Sequence, residues 1–143
     1  MATANAATNY LERRILHYIF KNNSLSFSSP GDSLYVGLAT AVSAAETGSV
    51  TEATFTNYAR QQVSAANWTT IGDDSTATQT ATNSANIEYP ASGGTTETIT
   101  HVFVADALTS GNILFVGALD ASKVIASGDI FRINAGNLTI ELK

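Results

Sequence analysis

Apolar residues along this chain fall into short runs that end at turn residues, most densely between Thr98 and Lys143. Four runs there, at 98–106, 112–120, 129–133 and 137–143, are separated by Thr109-Ser110-Gly111, by 122–128 and by Asn134-Ala135-Gly136. Runs rich in Val, Ile, Phe and Thr, closed by Gly, Asn, Asp and Ser, predict antiparallel strands of a sandwich or barrel. Leu138, Ile140 and Leu142 alternate with Thr139, Glu141 and Lys143, so the last strand should show one face to solvent. By contrast, His101 to Ala105 and Ile113 to Leu119 are apolar on both parities. Both of their faces should be covered, one by a facing sheet and the other by a helix or a neighbouring subunit.

A helical period occurs only near the start. Over Ala4 to Asn22, steps of 100° place Leu11, Ile15, Tyr18 and Ile19 on one stripe with Leu16 and Phe20 beside it, predicting an amphipathic helix packed on the body. Arg13, Arg14, His17 and Lys21 lie opposite, and Thr8 or Asn9 is placed to cap the first turn. Pro30-Gly31 signals a turn, and Ser33 to Ala39 alternates Leu34, Val36 and Leu38 as a strand. Thr40 to Asn57 has no clean period and reads as a long exposed excursion, a form that often carries function.

Arg60 to Trp68 reads as a weaker strand, Asp73 to Thr82 as a polar stretch, and Ser84 to Tyr89 as a half-exposed strand stopped by Pro90. Ala91 to Glu97 is a Gly-Gly loop. The expected architecture is one mainly β domain over 1–143, an antiparallel β-sandwich at 33–143 preceded by an arm and one N-terminal α-helix at 1–23.

Composition narrows the partners. A net charge of −5 with only seven Lys and Arg argues against nucleic acid, which needs a basic stripe to neutralise phosphates. Glu12, Arg13 and Arg14 interrupt any signal-peptide pattern in the first twenty residues, and no apolar run approaches a membrane span. The lack of Cys fits synthesis in a reducing compartment. Charged residues make up 13%, against about 25% in typical domains, with Ser, Thr, Ala and Asn in their place. A surface so weakly self-repelling invites association, so a homo-oligomer, dimer or trimer, is expected.

Candidate chemistry is sparse, and neither a catalytic set, a cofactor site nor a metal site is expected. His17 and His101 are far apart and lack ligand spacing; His101, sharing a strand face with Ile99 and Phe103, reads as a hydrogen-bonded core histidine. Asp73, Asp74, Asp106, Asp120 and Asp129 lie near turns, where Asp bonds its own backbone, and form no calcium-loop pattern. No serine sits in a nucleophile elbow, and the Gly-rich loop at 92–95 lacks the Lys of a phosphate cradle. The candidates for a protein interface are Tyr10, Arg13, Arg14, His17 and Lys21 on the helix, with Tyr58 and Arg60, an aromatic beside an arginine as in interface hot spots.

Seven segments occur in order: NYLERRIL at 9–16, LYVGLATA at 34–41, YARQQV at 58–63, ITHVFVAD at 99–106, GNILFVGAL at 111–119, GDIF at 128–131 and AGNLTI at 135–140. As an ordered set they resemble a family of small tailed-bacteriophage virion proteins, whose members are labelled either tail-fibre proteins or head decoration proteins. The resemblance implies a structural part of the particle, with no catalytic residues to carry over. It also implies a jelly-roll-like sandwich of the capsid-cement kind, made in the bacterial cytoplasm and bound on the capsid surface to the major capsid protein. The alternative is a tail-fibre or tail-tip module that meets a host glycan or receptor.

Overall fold

The computed structural model describes residues 2–4, 6–21, 34–69 and 79–142. In chain order these form β1 (Ala2–Ala4), β2 (Ala6–Ala7), α1 (Asn9–Lys21), β3 (Leu34–Ala44), β4 (Ser49–Glu52), β5 (Gln61–Val63) and a 3-10 turn at Ala65–Asn67. They continue with β6 (Gln79–Thr82), β7 (Ile87–Glu88), β8 (Glu97–Ala105), β9 (Ile113–Ile125), β10 (Arg132–Ile133) and β11 (Leu138–Leu142). The turn expected at Pro30-Gly31 and most of the polar stretch from Asp73 lie outside the described residues.

The fold is mainly β, with antiparallel pairing throughout except where β1 runs parallel to β11. Nine described strands share one sheet, ordered β4-β3-β8-β9-β1-β11-β6, with β5 also on β3 and β2 also on β9; β7 and β10 form a separate two-stranded ladder. The two ends of the sheet approach each other. Trp68, just beyond β5, bridges Asn83, just beyond β6, and the Thr69 and Ser84 amides bond the Thr82 and Asn67 carbonyls at 2.8 and 2.9 Å. Inside the curled sheet lie Val36, Leu38, Val63, Val102, Val104, Leu138 and Ile140, joined by Ile87 and Ile133 from the small ladder.

Both faces are covered over His101 to Ala105 in β8 and over Ile113 to Gly117 in β9, as their two-sided apolar pattern predicts, whereas Ala118 and residues 120–124 of β9 are exposed. Ala39, Phe103, Ala105 and Val116 form a second buried cluster on the outer face, closed by Val42, Ala45, Val50 and Ile113. This cover comes largely from the β3–β4 hairpin, so the expected excursion at Thr40 to Asn57 is in large part regular strand. Two register shifts, between Ala39 and Ala41 and between Val42 and Ala44, break the alternation that would have revealed it. A further shift between Ile99 and His101 changes the parity of β8. Ile99 therefore faces inward with Val102, and His101 does not share its face; His101 is half-buried, with Nδ1 2.7 Å from Thr100 Oγ1.

The helix begins at Asn9 rather than Ala4. The alanines before it pair with backbone instead, Ala2 with Leu119 and with Leu138, Ala6 with Val116, and Ala7 with Phe115. A ladder available on two neighbouring strands outweighs the modest helix preference of alanine.

Candidate interaction surface

α1 starts where the arm leaves β9. The Thr8 amide bonds the Leu114 carbonyl at 2.9 Å and the Thr8 hydroxyl donates to the Ile113 carbonyl at 2.7 Å. The same hydroxyl oxygen accepts from the Leu11 amide at 3.4 Å, so Thr8 is the N-cap expected from sequence. Asn9 is tied to the Glu46 carbonyl in the β3–β4 turn, 2.7 Å away. Leu11 is buried and Ile15 half-buried.

Beyond that first turn and a half the helix leaves the body. Leu16 is 54% exposed, Tyr18 57%, Ile19 61% and Phe20 74%. The sequence placed Tyr18 and Ile19 on a core-facing stripe; instead only Leu11 of that stripe is buried, because α1 packs on the body through its N-terminal end alone. Four large apolar side chains within five residues make an exposed patch of the kind that marks a contact surface. The signal was present in the sequence as an apolar arc wider than Leu11 and Ile15 need.

The cations chosen from sequence flank this patch. Arg13 and Lys21 are exposed, Arg14 and His17 half-buried, and the Arg14 guanidinium lies 5.1 Å from the centre of the Tyr10 ring. Residues 9–21 carry three Lys and Arg against one carboxylate, whereas the rest of the chain carries four against eleven. The helix is thus a cationic, apolar projection from an acidic body.

Tyr58 and Arg60 sit elsewhere, between β4 and β5, and are engaged within the chain. The Arg60 side chain, 6% exposed, holds Glu52 by two parallel bonds of 2.8 Å and donates to the Ala107 and Ser110 carbonyls, both at 2.8 Å. Its guanidinium lies over the Phe103 ring at 5.0 Å. The Glu52 bond, ahead of the opposing effect of burial, raises the Arg60 pKa still further.

Tyr58 closes a gap on the edge of β3 between β5 and β4. It accepts the Leu38 amide at 2.9 Å and donates to Glu52 at 2.8 Å, while the Tyr89 hydroxyl donates to the Val36 carbonyl at 2.9 Å. The rings stack 6.0 Å apart, and burial, reinforced by Glu52, pushes both phenols well above their ordinary range.

Of the carboxylates read as turn residues, Asp106 and Asp129 bond nearby backbone as expected, Asp120 lies instead within β9, and Asp73 and Asp74 are outside the described residues. Asp106 accepts from the Asn112 amide and side chain at 2.7 and 2.8 Å, and Asp129 accepts from the Ala126 amide at 2.9 Å. Among the described residues, no group of three or more His, Cys, Asp or Glu is placed to hold a metal ion.

One concavity was not foreseen. A cleft of about 750 Å³ opens between the middle of β9 and the 130–137 segment, with Leu119, Ile130 and Phe131 among its apolar walls and Asp120, Lys123 and Asn137 among its polar ones. It exists because β9 departs from β8 between Ala118 and Lys123, which pair with His101 and Ile99 respectively, and turns toward β1 at Leu119. Ile130 at its edge is 52% exposed.

The β body spends its buried charges on internal bonds, and the apolar end of α1 projects from it. The chain belongs to the family described as Podophage GP4 fiber I protein gp80, which it matches over residues 6–141, and it is accordingly a bacteriophage virion structural protein. No curated protein matches it.

Proposed function

We propose that this protein is a component of a phage tail fibre, in which the β body is a stiff module and α1 is its attachment element. The observation that carries this reading is the apolar C-terminal half of α1, a surface that suits a chain held permanently in an assembly and suits a free protein poorly. The family description, which names a fibre protein, supports the tail over the head. The reading assigns the protein no catalytic step, consistent with Arg60, Glu52 and Asp106 all being engaged in holding loops.

Decoration of the capsid, with the major capsid protein as partner, makes the same demand for a covered helix. The two placements separate by location. Virions labelled with gold-tagged antibody fragments against the β body should carry label on fibres at the tail. Label spread over the head surface would assign the chain to capsid decoration instead.

A further inference from the structure

The turn between β10 and β11 is pinned through its backbone, while two of its side chains are left unspent. It closes by the Asn137 amide on the Asn134 carbonyl at 3.0 Å, with Gly136 at φ 82° in the third position, which favours glycine. Asn86 Oδ1 accepts the Ala135 amide at 2.9 Å, the Asn83 carbonyl accepts the Gly136 amide at 2.7 Å, and the Asn83 side chain donates to the Asn134 carbonyl at 2.9 Å. Asparagine side chains at turns ordinarily bond nearby backbone. Those of Asn134 and Asn137 do not: among the described residues neither makes a hydrogen bond, and both line the cleft beside β9. Lys123, on the β9 wall, likewise has no ion pair among the described residues.

We propose that this cleft binds a neutral oligosaccharide. Each amide offers two donors and an acceptor in one plane, a match for adjacent ring hydroxyls, which both donate and accept. Leu119 and Ile130 give the cleft an apolar wall for the C–H face of a pyranose ring, with Ile130 52% exposed. A volume of about 750 Å³ with a few convergent polar groups suits a small-ligand site. The turn is already held from behind, so its amides lose little freedom when a ligand meets them.

Charge excludes the main competitors. The cleft carries Asp120 beside Lys123 and Arg132, and Arg132 is paired with Glu88 of β7, so these four charges sum to zero. Outside α1 the chain has four Lys and Arg against eleven carboxylates, which repels anionic polymers such as nucleic acid or an acidic polysaccharide.

A second hollow extends the site. It holds about 250 Å³ at the other edge of the β7–β10 ladder, with Gln61, Asn67, Asn86 and Glu88 among its walls. Glu88 and Arg132 are cross-strand partners, so the two hollows flank a ladder only two strands wide, with strands about 4.8 Å apart. A chain of several rings lying across the ladder reaches both hollows, and a single ring reaches one. Binding should therefore strengthen with chain length. This site belongs to the isolated β body, so it stands or falls independently of where on the virion the protein sits.

The test is a heteronuclear NMR titration of the full chain with maltohexaose, cellohexaose, chitohexaose and mannohexaose, and with a galacturonic acid hexamer as the anionic probe. Signals of Asn134, Asn137 and Lys123 should shift with at least one neutral hexamer at a Kd of roughly millimolar or tighter, more weakly with the matching disaccharide, and not with the galacturonate. Asn137→Ala and Lys123→Ala, both at exposed positions, should each weaken that binding by about three- to tenfold with the rest of the spectrum unchanged. Should Asn137→Ala disturb the turn, Lys123→Ala lies outside it and reads the same cleft. The proposal is overturned by no shift with any neutral hexamer at millimolar concentration, by shifts confined to another surface, by binding of the galacturonate alone, or by binding that both variants leave unchanged.

Discussion

The Phe103 ring lies directly on the backbone of Gly37, its cross-strand partner: a side-chain carbon added at Gly37 would stand 2.1 Å from the ring. The ring cannot easily withdraw, since it is fully buried and has the Arg60 guanidinium on its outer side. Gly37→Ala should therefore destabilise by about 1–3 kcal/mol through overpacking. Phe103→Leu in the same chain should recover part of that loss. Urea unfolding of both single variants and the double variant checks this, with a coupling above roughly 0.5 kcal/mol expected and strict additivity counting against it.

Two ion pairs among the described residues should differ in worth by their exposure. Arg132 and Glu88 are 49% and 46% exposed, so a double-mutant cycle there should give no more than about 1 kcal/mol, falling with salt. Arg60 is 6% exposed and its partner Glu52 31%, and four side-chain bonds converge on the guanidinium. Glu52→Gln leaves that guanidinium buried without its counter-charge and should cost about 2–4 kcal/mol, discounted from the fully buried case for partial exposure. Arg60→Lys should not rescue the site, because an ammonium cannot reproduce the planar fork to Glu52 while reaching two carbonyls.

Asn83 pins the segment leading into β11. Buried almost completely, it accepts the Leu138 amide at 2.8 Å and donates to the Ala85 and Asn134 carbonyls at 2.8 and 2.9 Å. Asn83→Ala strands the Leu138 amide and removes a donor from the Ala85 carbonyl, while the Asn134 carbonyl keeps the Asn137 amide at 3.0 Å; at about 1–3 kcal/mol for each unsatisfied buried group the loss should reach roughly 3 kcal/mol. Asn83→Asp should be worse at neutral pH, since a carboxylate would face two carbonyl oxygens. Its stability should improve on acidification, and a denaturation series between neutral and acidic pH reads that sign directly.

What was legible in the sequence follows from how far each signal reaches along the chain. The two-sided burial of β8 and β9 was visible because neighbouring residues of both parities were apolar, and the Thr8 cap because capping acts within one turn. The β3–β4 hairpin was hidden by its bulges. The long course of β9 was hidden by Asp120 to Lys123, which look like a turn but form the outward swing of one strand. Tyr58 and Arg60, read from the sequence as interface candidates, spend their polar groups on bonds within the chain. Their partners, Glu52 and the 107–110 carbonyls, come from segments that only the fold assembles. The same holds for Asn83, whose role depends on residues about fifty positions away, and for the helix tip, where sequence gives the apolar arc but not how little of it the body covers.

Alkaline pH should unfold the protein through Tyr58 and Tyr89. Both phenols are raised in the folded state, Tyr58 by burial and by Glu52, Tyr89 by complete burial. A raised phenol keeps its proton in the native state while the unfolded chain loses it above about pH 10. Stability from these groups is thus fully present below pH 10 and is lost as pH climbs beyond it, by about 1.4 kcal/mol per pH unit for each tyrosine. Two of the five tyrosines should then ionise only together with the loss of strand signal, when phenolate absorbance and circular dichroism are followed in one titration. Tyr58→Phe should lower stability at neutral pH, because the Leu38 amide loses its acceptor, and yet flatten the alkaline slope by about half. A Tyr58→Phe slope equal to wild type would mean that this hydroxyl is open to water, and that the edge of β3 between β4 and β5 is sealed in some other way.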